Sequence, residues 1–301
     1  MNIKLTNNIY NFFFQQQHTY DWITFFRIAV GLLCLLHFIA IIPDFNALFG
    51  TTAFIPLDIT YAFRNIISYY DILQLTASYG INEQVVSLIY KIIYISSAVF
   101  LIIGFFPRIN AFILLSLQFI LLRNSSYYAY GVDFFTGMSL FYLILTPSDY
   151  KLSINRLIWK NNNTQNITPY LRLLQIHLSI GYFFSGFDKI LGFNWRNGEA
   201  IFKAINLPYA NRDFYFDFSF MATYPILSIM AAWFTILIEM CHPVLISIGR
   251  TRLVGMYLTI SMHLGIALVL NLYFFSAIMI IWNVTAYYFS EQESITLKTV
   301  L

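Results

Sequence analysis

Residues 170–191 read YLRLLQIHLSIGYFFSGFDKIL, and this stretch decides the fold. A membrane span needs about 20 mostly apolar residues, and the stretch meets that length. Within it Arg172, Gln175, Ser179, Tyr182, Gly186 and Lys189 recur at spacings of 3, 4, 3, 4 and 3. That is one face of a helix. A polar stripe on an otherwise apolar rod predicts a helix whose stripe looks into a bundle. The stripe ends at Lys189, for which two readings stand. Held out of water, the amine is a candidate base. At a helix end it snorkels to the interface or pairs with Asp188.

Reading outward for further runs of this kind gives eight candidate spans, roughly 23–42, 85–104, 109–122, 132–147, 170–191, 220–248, 252–270 and 272–289. The third and fourth, at 14 and 16 residues, are short enough to need tilt, thinned membrane or capping neighbours; the sixth is long enough to tilt or bend. Composition agrees. Of 301 residues 59% are hydrophobic, 19% aromatic and 10% charged, and the mean hydropathy is +0.67. Soluble domains carry about 25% charged residues, so a soluble monomer and intrinsic disorder are both excluded. A net charge of +3, from 17 basic and 14 acidic residues, is too even for a nucleic-acid surface. The predicted fold class is an all-α polytopic membrane bundle of about eight transmembrane helices. Residues 1–301 form one transmembrane domain with no separate soluble domain and no repeat of fixed period.

The loops set an expected orientation. With the N-terminus in the cytoplasm, Lys4, Arg108, Lys151, Arg156, Lys160, Arg172, Arg250, Arg252 and Lys298 fall inside. Arg64, Arg123, Arg196, Lys203 and Arg212 fall outside, accompanied by eight acids, among them Asp58, Asp133 and Glu199. Nine cations against five satisfy the positive-inside rule, and an even helix count returns the C-terminus to the cytoplasm. The outer face then carries 43–84, with interfacial helices expected, the tyrosine-rich 123–131, and the aromatic and charged 192–219. The polar linker 161–168 is cytoplasmic. The N-terminus lacks a cleavable signal pattern, so the first span is expected to direct insertion.

Ionisable groups inside hydrocarbon cost about 2.5–3.5 kcal/mol on insertion scales and normally face a partner or a wet cavity. Thr235, Glu239 and His242 share one helical face, with Glu239 deep in AAWFTILIEMCHPVLI. His263 lies in TISMHLGIALVL. Glu239 must be protonated, paired or hydrated. Three readings stand for this group: a polar network closing the bundle, a catalytic set, or a metal site, for which no third ligand at a recognisable spacing exists. No metal is expected. Arg27 is expected to snorkel, His18 to sit at the interface and His177 to be a core histidine. Arg123 either snorkels or binds an anion. Asp133 is an acid in a helix's first turn, which the dipole favours. Cys34 and Cys241 both sit in apolar runs and read as small core residues. No nucleotide-binding or serine-hydrolase motif stands in a credible context.

Four stretches together resemble the membrane part of the vitamin K-dependent gamma-carboxylase superfamily, also called the horizontally transferred transmembrane (HTTM) family. They are FPRINAFILLSLQFILLRNSSYYAYGVD (106–133), RLLQIHLSIGYFFSGFDKILGFNW (172–195), FTILIEMCHPVLI (234–246) and GMYLTISMHLGIALVLNLYFFSAIMII (255–281). The resemblance covers roughly residues 20–290. It implies that Lys189 matches the lysine acting as base toward vitamin K hydroquinone. His263 matches a histidine of the same chamber, and Glu239 takes the intramembrane acid position. Tyr182, Gly186 and Trp195 match the motif framework. Arg123, Asn124 and Asp133 are then expected at the chamber mouth. In that family the oxygenated quinone removes a gamma proton from a glutamate side chain, and CO2 adds to the carbanion, on the lumenal side. Reduced quinone, menaquinol or vitamin K hydroquinone, with O2 and CO2, is the implied cofactor set. Two departures stand out. The family histidine of the polar loop is replaced by Asn124-Ser125-Ser126, and the chain has no room for a lumenal domain that docks a propeptide. In size it is similar to the SdpB-type membrane protein of sporulation-delaying toxin systems. That likeness implies work on a small secreted peptide, with a companion maturation protein, either as a carboxylase-like or oxygenase-like enzyme or as a non-catalytic maturation, export or immunity component.

Overall fold

The computed structural model describes residues 10–15, 20–55, 67–124, 127–160 and 165–289. Lys4, His18, Asp58, Arg64, Ser125, Ser126, Lys298 and half of the 161–168 linker (161–164) lie outside the described residues, as does the side chain of Asn124. Every described element is helical. The chain divides into two compact units, Ile23–Gln165 and Met1–Trp22 with Asn166–Leu301.

The unit of residues 23–165 draws on α1 (Asp21–Ile41), a 3-10 turn leading into α2 (Phe45–Phe49), α3 (Tyr69–Ser78), α4 (Glu83–Ile103), α5 (Pro107–Asn124), α6 (Gly131–Leu145) and α7 (Ile154–Trp159). Local chemistry sets the boundaries. The Asn82 side chain accepts from the Gln84 amide and opens α4. Gly104, at φ 71°, closes α4, and Pro107 starts α5. The Asp133 carboxylate accepts from the Tyr130 amide at 3.0 Å and caps α6, the dipole-favoured placement read from sequence.

Arg27 corrects one expectation. It does not snorkel; its side chain is wholly buried. The guanidinium donates to the carbonyls of Leu101 and Ile102 at the end of α4, and to those of Ser148, Lys151 and Leu152 after α6. Helix C-termini present unsatisfied carbonyls that favour a cation, so one arginine ties together two backbone ends, with its bonds to Leu101 and Ser148 buried. Gly104 makes room for it: a Cβ there would stand 2.9 Å from an Arg27 nitrogen. Farther along the unit an aromatic cluster fills the core, with Phe38 stacked on Tyr94 at 3.9 Å and Phe45 among Tyr69, Tyr90 and Phe49.

The second unit holds α8 (Thr168–Leu191), α9 (Phe193–Arg196), α10 (Glu199–Ile205), α11 (Phe220–Thr223), α12 (Pro225–Ser247), α13 (Gly249–Leu270) and α14 (Tyr273–Asn283), which runs on as a π turn over Val284–Tyr288. α8 packs along α12, α12 along α13, and α13 along α14. The run 220–248 is not one bent rod. It breaks at Tyr224, and Pro225 opens α12, because proline suits a first turn and not an interior. The 206–219 segment folds back on the last two helices: the Asn211 amide donates to the Val269 carbonyl at 2.7 Å and the Tyr273 hydroxyl to Asp213 at 2.5 Å.

Each of the eight apolar runs contains a helix. Four stretches, Asp21–Phe49, Glu83–Ile103, Pro225–Ser247 and Gly249–Leu270, are long and apolar enough to cross a membrane. This is a membrane-integral, all-helical protein. Cys34 is buried as expected, whereas Cys241 is exposed. It lies two residues past the buried Glu239, about 200° around the helix, and so faces away from the core.

Candidate functional site

The polar stripe of α8 does turn inward: Gln175, Tyr182 and Gly186 are buried. Gly186 is a point of close approach between α8 and α12. A Cβ at that position would lie 2.7 Å from Met240 Cγ, 2.8 Å from the Met240 amide nitrogen and 3.0 Å from Glu239 Cβ. Only glycine lets the backbones approach this far. One turn on, the approach brings Lys189 Nζ to 2.7 Å from Glu239 Oε2. The amine also donates to Ser185 Oγ at 2.6 Å and sits 5.1 Å from the centre of the Trp195 ring. The pair is secluded, with side-chain exposures of 18% for Lys189 and 7% for Glu239. Neither snorkelling nor pairing with Asp188 describes Lys189. Its partner comes from another helix.

A second layer lies toward the other end of α8, about 10 Å along the axis at 1.5 Å per residue. Asn283 Nδ2 donates to the Tyr182 hydroxyl at 2.7 Å, and that hydroxyl meets His263 Nε2 at 2.9 Å. The phenol oxygen thus bridges the amide and the imidazole, while His263 Nδ1 is buried with no hydrogen-bond partner among the described residues. Thr259 Oγ1 donates to Asn283 Oδ1 at 2.9 Å and completes the chain. The His242 ring lies against Tyr182, 4.3 Å between centres, with Tyr287 on another side at 5.6 Å. Both His242 and His263 are buried. Pro243, next along α12, has no N–H for the Glu239 carbonyl, so the helix is loosened one turn from the ion pair.

Among the residues singled out from sequence, Lys189, Glu239 and Trp195 thus form one cluster, and Tyr182 with His263 forms the adjoining one. Thr235 bonds its own helix at the Ala231 carbonyl, 3.0 Å away. His177 is half-buried edge-on to Trp282 at 5.3 Å. Arg123, Asn124 and Asp133 belong to the unit of residues 23–165. There Arg123 is exposed, its guanidinium 4.8 Å from the Phe119 ring centre. Asp133 helps line a cavity of about 220 Å³ with His37, Tyr94, Gln118, Tyr128 and Tyr130. Sequence reading missed Ser185, Thr259 and Asn283. Ser185 is i−4 from Lys189 and Thr259 is i−4 from His263, so helical spacing could have found both. Asn283 in AIMIIWNVTA is a lone amide in an apolar run, the same kind of signal that drew attention to His263.

Against this geometry, a family model described as the HTTM domain matches residues 15–292. The chain belongs to the HTTM family. No curated protein and no solved structure matches it. The match spans all the residues of both clusters, so the HTTM domain is the context in which the Lys189–Glu239 pair has to be understood.

Proposed function

We propose that this HTTM protein modifies or matures a small secreted peptide at an outward-facing intramembrane site, using a reduced quinone, with Lys189 as base and Glu239 as its proton partner. The observation that carries the reading is the secluded Lys189–Glu239 pair under the Trp195 ring. Two charges removed from water are expensive to keep, and a neutral amine beside a neutral carboxylic acid is the accessible alternative. Passing one proton from Nζ to Glu239 leaves an amine able to accept another. An indole face, an amine and a hydroxyl from Ser185 suit the ring and hydroxyl of a quinol. Bound there, menaquinol or vitamin K hydroquinone supplies, with O2, the driving force for taking a proton from a peptide carbon, to which CO2 adds. Tyr182, Asn283 and His263 orient one another in the layer below the pair. The termini lie in the cytoplasm, and a companion protein assists maturation.

One observation favours a second reading. Lys189 is already engaged by Glu239 and Ser185, as in a purely structural closure. The protein then binds a toxin-type peptide without chemistry, as a maturation, export or immunity component. The test is the mass of a secreted peptide encoded beside this protein, co-expressed with wild type or with Lys189→Met, together with the quinone that co-purifies. A mass increase made only by wild type supports the enzyme. An unaltered peptide retained equally by both supports the binding component.

A further inference from the structure

Residues 214–220 read FYFDFSF, with phenylalanine at every second position. The structure sets these rings in a row. Phe214 and Phe216 are 5.9 Å apart between centres, Phe216 and Phe218 6.0 Å, and Phe218 and Phe220 6.3 Å. Phe214, Phe216 and Phe220 are 51%, 43% and 44% exposed. Tyr215, at 82% the most exposed, stands outside these ring contacts. Residues 215–218 belong to no helix, so the row is not the buried stripe of a rod turned outward.

The place of the row in the fold says what covers it. α12 and α13 are joined at Ile248 and run back along each other, with a Cβ at Gly255 reaching 3.0 Å from Leu245 Cβ. Pro225 and Leu270 therefore lie at the same end of the pair. The helices have 23 and 22 residues, about 34 and 33 Å at 1.5 Å per residue. A bilayer's hydrocarbon is about 30 Å thick, so the shared end reaches the headgroup layer. Phe220 stands just before Pro225, and hydrogen bonds tie its segment to the other helix end. The Asn211 amide donates to the Val269 carbonyl at 2.7 Å, Asn271 Nδ2 to the Tyr209 carbonyl at 3.1 Å, and the Tyr273 hydroxyl to Asp213 at 2.5 Å.

A run of phenyl rings left in water is unfavourable, and apolar patches of this kind mark contact surfaces. Aromatic side chains gather where membrane meets water. We infer that the Phe214–Phe220 row is a lipid contact. Its rings enter the headgroup layer and seat this end of α12 and α13 there, while Tyr215 and Asp217 face the aqueous side.

The test uses the full-length protein in phosphatidylcholine vesicles. Spin labels are placed one at a time at Phe216→Cys, Phe220→Cys and Tyr215→Cys. The background is Cys241→Ser, since Cys241 is exposed and Cys34 is buried. Collision with oxygen, which concentrates in lipid, is compared with collision with a water-soluble nickel chelate. The oxygen-to-nickel ratio should be severalfold higher at 216 and 220 than at 215. A ratio favouring nickel at 216 and 220 would place the row in water and overturn the contact. Labels at 216 and 220 reached by neither reagent would mean that protein covers the row, and would overturn it too. So would one ratio shared by all three positions.

Discussion

Glu239 meets Lys189 at 2.7 Å from 50 residues along the chain, across the narrow gap that Gly186 leaves between two helices. The contact depends on the glycine. Gly186→Val should therefore separate α8 from α12 and destabilise the protein by about 1–3 kcal/mol, the usual cost of overpacking. Gly181→Ala, on the same helix with nothing within 4 Å of the added carbon, should change little. Thermal unfolding of the two variants in detergent checks the contrast.

Tyr182 is the centre of the neutral layer, and its hydroxyl serves both Asn283 and His263. Tyr182→Phe leaves a buried amide donor and a buried imidazole nitrogen without that partner. The expected loss is about 1–3 kcal/mol. Combining Tyr182→Phe with Asn283→Leu should cost less than the sum of the two, because the second change removes a group the first has already orphaned. Unfolding of the single and double variants measures the coupling.

Arg27 gives a prediction for the other unit. Replacing it with Met removes the donors that serve five carbonyls. Stability should fall by about 3 kcal/mol or more, since each orphaned buried group costs about 1–3. Hydrogen exchange should rise first near the end of α4 and in residues 148–153, where those carbonyls lie, and much less in α12 and α13.

How much of this was legible in the sequence differs by kind of feature. Spans such as Glu83–Ile103 and Gly249–Leu270 are written in continuous apolar runs, because hydrocarbon tolerates little else over that length. The inward stripe of α8 is written in its 3–4 spacing. The partner of Lys189 is not, since helix-to-helix register depends on close packing at Gly186, which local pattern does not report. Arg27 was misjudged because its acceptors are backbone carbonyls, and no side chain in the sequence marks them. Cys241 was misjudged for a simpler reason. An apolar neighbourhood in a membrane protein does not separate core from lipid, and only its angle from Glu239 and His242 does.

In the proposed function Lys189 works by giving up a proton to Glu239, and arginine at that position tests this. Lys189→Arg keeps a positive charge beside Glu239, but a guanidinium is not deprotonated in proteins. The decisive measurement is the mass of the co-expressed secreted peptide, with wild type and Lys189→Arg present at equal levels of folded, inserted protein. The account predicts a modified peptide with wild type and an unmodified one with Lys189→Arg. A peptide modified equally by both would contradict it.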